Sequence, residues 1–101
     1  MSYEELIRKI ETWGDRKGIN DPQAQLTKIM EELGETSAAF NKMQPDELID
    51  AIGDLQVTII IFAHLAGVDY KWALSQAYGV IAERKGKMHN GVFIKEEDQH
   101  E

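Results

Sequence analysis

The stretch from Pro45 to Gly67, "PDELIDAIGDLQVTIIIFAHLAG", constrains this chain more than any other part of it. Proline at a first helical position and glycine just past the end bracket a helix of about six turns. The second half of that helix is apolar all round, as in a helix enclosed by protein on every side. Its first half carries Glu47, Asp50 and Asp54 at i, i+3 and i+7, which places the three acids within an arc of about 60°. Val57, Ile61 and Leu65 continue the same side, so the acid stripe runs into packed protein. Carboxylates held at such a boundary need partners, because burying an unpaired charge costs several kcal/mol or forces protonation.

The rest of the sequence supplies three more helices. Ser2-Tyr3-Glu4-Glu5 reads as a capping box ahead of Leu6, Ile7, Ile10 and Trp13, giving a helix over about residues 3–17. Asp21-Pro22 restarts the pattern after "GIND", and the second helix runs to about Lys42. Its expected core stripe is Leu26, Ile29, Met30, Leu33 and Phe40, with Ser37 on the same face. Asp69 opens a fourth helix, whose Leu74, Ala77, Tyr78 and Ile81 are expected to face a core until Gly86. Asn90-Gly91 signals a turn beyond it. The expected architecture is an all-α, four-helix bundle-like domain over residues 1–92, followed by an acidic, mobile tail over 93–101. Helix three is apolar on more sides than three partner helices can cover, so its exposed faces are expected to drive oligomerisation.

Charge and composition narrow the function. The chain of 101 residues has a net charge of -7, which repels a phosphate backbone and argues against a nucleic acid polymer as partner. It contains no cysteine, so thiolate metal sites and cysteine nucleophiles are excluded, and a reducing cytoplasm suits it. The start, "MSYEELIRKIETW", is amphipathic and acidic, unlike a signal peptide, and is expected to be a cytosolic N-terminus. The apolar run Val57 to Val68 is broken by Thr58 and His64 and is shorter than the roughly 20 residues that cross a bilayer, so no membrane partner is expected.

A second acid cluster lies on helix two. Glu31, Glu32 and Glu35 fall within an arc of about 100°, opposite the expected apolar stripe. Lys28 is the sole cation on that acidic face, too little to neutralise it. Carboxylates from two neighbouring helices suit a hard divalent cation, and an oxygen-only donor set favours Mg²⁺, or Mn²⁺ in its place, over zinc. A di-iron site requires Glu-x-x-His pairs, and only Glu97 with His100, in the tail, has that spacing. No EF-hand loop occurs.

The pair "EELGE" (Glu31 to Glu35) and "ELIDAIGD" (Glu47 to Asp54) resembles the E-x-x-E … E-x-x-D signature of the MazG-like all-α nucleoside triphosphate pyrophosphohydrolases, relatives of the dimeric dUTPases. "GDLQVTIII" and the late "KGKMHNGVF" add to the likeness. The resemblance implies cleavage of a nucleoside triphosphate between the α and β phosphates, giving a monophosphate and pyrophosphate, with Mg²⁺ held by the acids. The first acid pair carries over to Glu32 and Glu35. In the second, alignment on "GD" makes Asp54 the final acid and puts Ala51 where the family has glutamate. Asp50 faces the same side and is expected to substitute, while Glu47-x-x-Asp50 keeps Glu47 among the candidate ligands. Glu35, and after it Glu31, are the candidates to orient the attacking water. The family also implies a homodimer or homotetramer and substrate contacts in the late segment, which point to Lys87 and Asn90.

Other residues have plainer readings beside these. Lys28 either meets a phosphate or pairs with Glu32 one turn on. Arg84, Lys85 and Lys87 either bind phosphate or complement a helix dipole. Trp13 is expected to pack in the core rather than stack on a base, His64 to be a hydrogen-bonded core or interface histidine, and Met30, Met43 and Met88 to fill space. The competing function is a non-catalytic helical interaction or regulatory module whose acidic face pairs with a basic partner.

Overall fold

A computed structural model of the chain describes residues 1–98. Local capping sets its helix ends. The Ser2 hydroxyl accepts from the Glu5 amide at 3.1 Å and starts α1, Tyr3–Arg16. The Asp21 carboxylate accepts from the amides of Gln23 and Ala24, and Pro22 opens α2, Pro22–Asn41. Pro45 likewise opens α3, Pro45–Leu65, and α4 covers Tyr70–Ala82. All three of the first helices end in the same way. A residue at positive φ (Gly18, Met43 or Gly67) donates to the carbonyl three back, and the next amide reaches the carbonyl five back. Glycine adopts that conformation freely; Met43, at φ 56°, does not.

The chain divides into two compact units, Met1–Tyr70 and Lys71–Glu101. In the first, α2 and α3 form an antiparallel pair and α1 lies against α3. Gly14 makes that second contact close: a Cβ there would stand 3.4 Å from Ile61 Cδ1. His64 adds a polar link, its Nε2 lying 3.1 Å from Asp15 Oδ2 and its Nδ1 3.7 Å from Glu11 Oε2. His64 is thus hydrogen-bonded as expected, but at an exposed edge rather than in the core.

The seam between α2 and α3 departs from the expected stripe. Its α2 side is made by Gln25, Glu32 and Ala39, spaced by seven, and its α3 side includes Ala51 and Thr58. Gln25 Nε2 donates to the Thr58 carbonyl at 3.3 Å across it. Met30, Leu33 and Phe40 face outward, Leu33 being 57% exposed. The inner face is therefore turned by about 100° from the strongest apolar stripe. Small side chains explain the choice, because Ala39 and Ala51 allow close approach where larger ones would hold the helices apart.

The 21 residues of α3 make a helix long and apolar enough to cross a membrane, as core helices of globular proteins also are. Ala51, Thr58, Ile60, Ile61 and Ala63 are buried within the chain.

The second unit contains most of α4 and a hairpin that all-helical patterning does not anticipate. Strands β1, Gly86–His89, and β2, Val92–Lys95, pair antiparallel with His89 opposite Val92. Asn90 and Gly91, at φ 50° and 80°, form the connecting turn that the Asn-Gly signal marks. Phe93 packs over Gly86, where a Cβ would meet the ring at 2.6 Å. α4 stops at Ala82, short of the expected Gly86, and Leu74, Tyr78 and Ile81 are exposed rather than facing a core. Of the expected tail over 93–101, residues 93–95 belong to β2 and Glu96–Asp98 form a 3-10 turn. Residues 99–101 lie outside the described residues, and with them His100.

Candidate active site

Helix α2 turns Glu32 into the seam with α3 because Glu32 shares a face with Gln25 and Ala39. Glu32 is 6% exposed. One carboxylate oxygen, Oε1, lies 3.5 Å from Lys28 Nζ. The other, Oε2, is buried without a hydrogen-bond partner. A buried carboxylate oxygen left bare in this way is costly, and it calls for a water, an ion or a ligand to satisfy it. Lys28 serves two acids, standing 3.5 Å from Glu31 Oε2 as well, and the two carboxylates, Glu31 first, raise its pKa above the ordinary lysine value.

Glu32 and Asp54 face a common cleft of about 500 Å³ in the first unit. Its other walls include Lys28, Gln25 and Thr58 from the seam, Trp13 and Ile61, and Ile19 and Asn20 from the α1–α2 corner. Asp54 also lines a smaller depression of about 260 Å³ together with Glu35, Glu47, Asp50 and Lys42. Six of the residues singled out from the sequence therefore gather at two hollows that share Asp54: Glu32 in the first and Glu35, Glu47 and Asp50 in the second, with Lys28 beside Glu32. Glu31 lines neither and is exposed beside Lys28. Lys87 and Asn90 belong to the second unit, in β1 and its turn.

The acids are neighbours without being a closed cluster. Among the described residues no group of three or more Asp, Glu or His side chains converges tightly enough to ligate a metal as placed. Like carboxylates along two helices repel one another, which favours rotamers that separate them. The donor chemistry nevertheless fits a hard divalent cation, since the acids offer oxygen alone and Glu32 Oε2 has no other partner.

Three residues at these hollows stand out beyond the sequence candidates. Gln25 is buried and bridges the helices, and its spacing of seven from Glu32 is the signal that could have found it. Lys42 joins the acids of the smaller depression from the last turn of α2. Trp13, expected in the core, is 44% exposed and lines the larger cleft instead. Ile7 and Gly14, on the adjacent face of α1, are the residues that pack inward.

Residues 4–78 match the phosphoribosyl-ATP pyrophosphohydrolase family, and the match spans α1, α2, α3 and most of α4. A relative from Haemophilus phage HP1 (strain HP1c1), an uncharacterized 18.2 kDa protein of the rep-hol intergenic region, is 41% identical over 69 residues. Those residues are 65% of this chain and 42% of the relative, so the chain spans less than half of that protein's length. No solved structure matches. The resemblance noted in the acid motifs thus resolves to a narrower group within the same superfamily. The chain belongs to the phosphoribosyl-ATP pyrophosphohydrolase family, a branch of the MazG-like all-α nucleoside triphosphate pyrophosphohydrolases.

Proposed function

We propose that this protein is a Mg²⁺-dependent pyrophosphohydrolase that cleaves a nucleoside triphosphate, or a closely related nucleotide, between its α and β phosphates. The observation that carries the reading is Glu32: a carboxylate drawn into the α2–α3 seam, with one oxygen beside Lys28 and the other bare, in a cleft it shares with Asp54. Glu32, Glu35, Asp50 and Asp54 are the residues that would hold the cation, with Glu47 available at the same depression. When bound, Mg²⁺ supplies neutralisation of the phosphate charge.

The chain's own residues do the rest. Lys28, kept protonated by its two carboxylates, offers an ammonium to a phosphate oxygen that enters the cleft. Glu32 and Asp54 would hold the cation between the two helices, where it would offset the charge of the phosphates. Glu35 takes the attacking water's proton on a carboxylate oxygen as the water's oxygen bonds to phosphorus. Attack at the α-phosphorus expels pyrophosphate with the bridging oxygen and leaves the water's oxygen on the monophosphate; attack at the β-phosphorus expels the monophosphate with the bridging oxygen and leaves the water's oxygen on pyrophosphate. Glu31 is the less apt base, since it lines neither hollow and is paired to Lys28. Exposed Met30, Leu33 and Phe40 on α2, with Ile49 and Ile52 on α3, support a homodimer or homotetramer built on these faces.

The decisive experiment is pyrophosphate release with Mg²⁺ from the common triphosphates and phosphoribosyl-ATP. Release that EDTA abolishes, and that Glu32→Gln removes without unfolding the chain, supports the reading. No turnover of any nucleotide, together with a basic protein partner bound equally by Glu32→Gln, would favour the interaction module.

A further inference from the structure

The smaller depression holds a cation that the acids around it leave unpaired. Glu35 and Lys42 line its α2 wall, and Glu47, Asp50 and Asp54 its α3 wall, each set on one face of its helix. Ala38, Ala39 and Ala51 lie between the walls and keep its floor open. Because the helices run antiparallel through a short turn, Glu35 lies toward Asp54 and Lys42 toward Glu47. Lys42 follows Glu35 by seven residues, about 10 Å along α2, and its Cα–Cβ bond tilts back toward Glu35 as on any helix. Lys28 is paired with two carboxylates, whereas Lys42 makes no ion pair among the described residues.

We infer that Lys42 contacts the pyrophosphate end of the substrate and lets the site distinguish a triphosphate from a diphosphate. The inference rests on the proposed pyrophosphohydrolase reading and adds to it the residue that selects the leaving group. The depression's volume is about 260 Å³. Clefts that take whole small molecules run to roughly 300–1,000 Å³, so this one takes a fragment. No apolar side chain larger than alanine lines it, so the fragment is a charged, hydrated group rather than a ring. The depression shares Asp54 with the larger cleft, and a phosphate chain bound at Asp54 continues into it. Four carboxylates line the walls and repel such a chain, and Lys42 is the one cation among the described residues that the protein itself brings there. A nucleoside diphosphate has a single phosphate beyond the scissile bond and forgoes the Lys42 contact.

The test is isothermal titration calorimetry of the full chain with inorganic pyrophosphate in the presence of Mg²⁺, which needs no turnover. Lys42→Met is expected to weaken pyrophosphate binding about ten-fold, and Lys42→Arg to recover most of the loss. Lys42 is exposed, so both variants should keep the parent's melting temperature. Lys9→Met removes the same charge from α1, away from both hollows, and should leave pyrophosphate binding unchanged. In turnover, Lys42→Met should lower kcat/KM for the triphosphate about ten-fold and hardly alter it for the matching diphosphate. The inference is overturned if the parent binds no pyrophosphate with Mg²⁺, or if Lys42→Met, folded by circular dichroism, binds it as the parent does. An equal loss in Lys9→Met, or an unchanged preference for triphosphate over diphosphate, overturns it too. Pyrophosphate binding that depends on Lys42, in a protein that releases pyrophosphate from no nucleotide, would leave the contact standing and sink the hydrolase reading instead.

Discussion

Lys28 Nζ stands 3.5 Å from Glu32 Oε1, while Glu32 Oε2 is buried with nothing to bond to. The lysine is half-exposed and the carboxylate almost wholly covered, so the pair is lopsided: one partner has water and the other does not. Such a carboxylate opposes folding unless something else satisfies it. Removing its charge and removing its partner should therefore act in opposite directions. Glu32→Gln is expected to hold or raise the melting temperature of the metal-free protein while lowering kcat at least ~100-fold. Lys28→Met is expected to lower the melting temperature. Differential scanning fluorimetry of both variants in EDTA checks the signs.

Binding of a cation at Glu32 should couple to stability. Mg²⁺ at about 100 times its Kd would add about 2.7 kcal/mol to the free energy of unfolding, since the unfolded chain has no preformed site. The shift should vanish in Glu32→Gln and shrink in Asp54→Asn. A melting temperature that ignores Mg²⁺ in the parent protein would count against these acids as its ligands.

Met43 occupies the left-handed region at the α2 C-terminus, where α1 and α3 place glycine. Its side chain is exposed, so little packing is lost when it is removed. Met43→Gly is expected to stabilise the fold by ~0.5 kcal/mol, relief of backbone strain outweighing the freer unfolded chain. Urea denaturation, read as a shift in midpoint at constant m, measures it.

Tyr70 gives the fold an alkaline limit. Burial, and then a hydrogen bond with Tyr3, push its phenol up from the ordinary 10 to about 12, and Gln56 donates to its hydroxyl. The folded state thus holds this proton more tightly than the unfolded state. The stability it contributes is complete below pH 10 and is lost as pH rises toward 12. Tyr70→Phe should flatten that decline, whatever its effect at neutral pH. Denaturation midpoints collected from pH 9 to 12 test the slope.

The outward stripe of α2 should be an assembly surface. Leu33→Asp places a charge at its centre, on a residue already exposed in the single chain, so the protomer should keep its helix content. The expected outcome is a fall in molar mass to that of the monomer by light scattering. Unchanged mass would exclude this stripe as the contact.

Read alone, the sequence determined the ends of the first three helices and the inventory of acids. Ser2, Asp21, Pro22, Pro45 and Gly67 act on amides and carbonyls within a few residues of themselves, so their effects are fully local. The Asn90-Gly91 turn was legible for the same reason, although the strands it joins are too short for a clear alternation. Tertiary structure alone decided which face of α2 meets α3. Hydrophobic periodicity marks a face that will be covered, but not by what. In this chain the small residues Ala39 and Ala51 won the intramolecular seam, and Leu33 and Phe40 were left outside. That choice carried Glu32 inward and separated it from Glu31. It also put Trp13 at a cleft rather than in the core, because the position of an α1 side chain depends on where α2 and α3 come to rest.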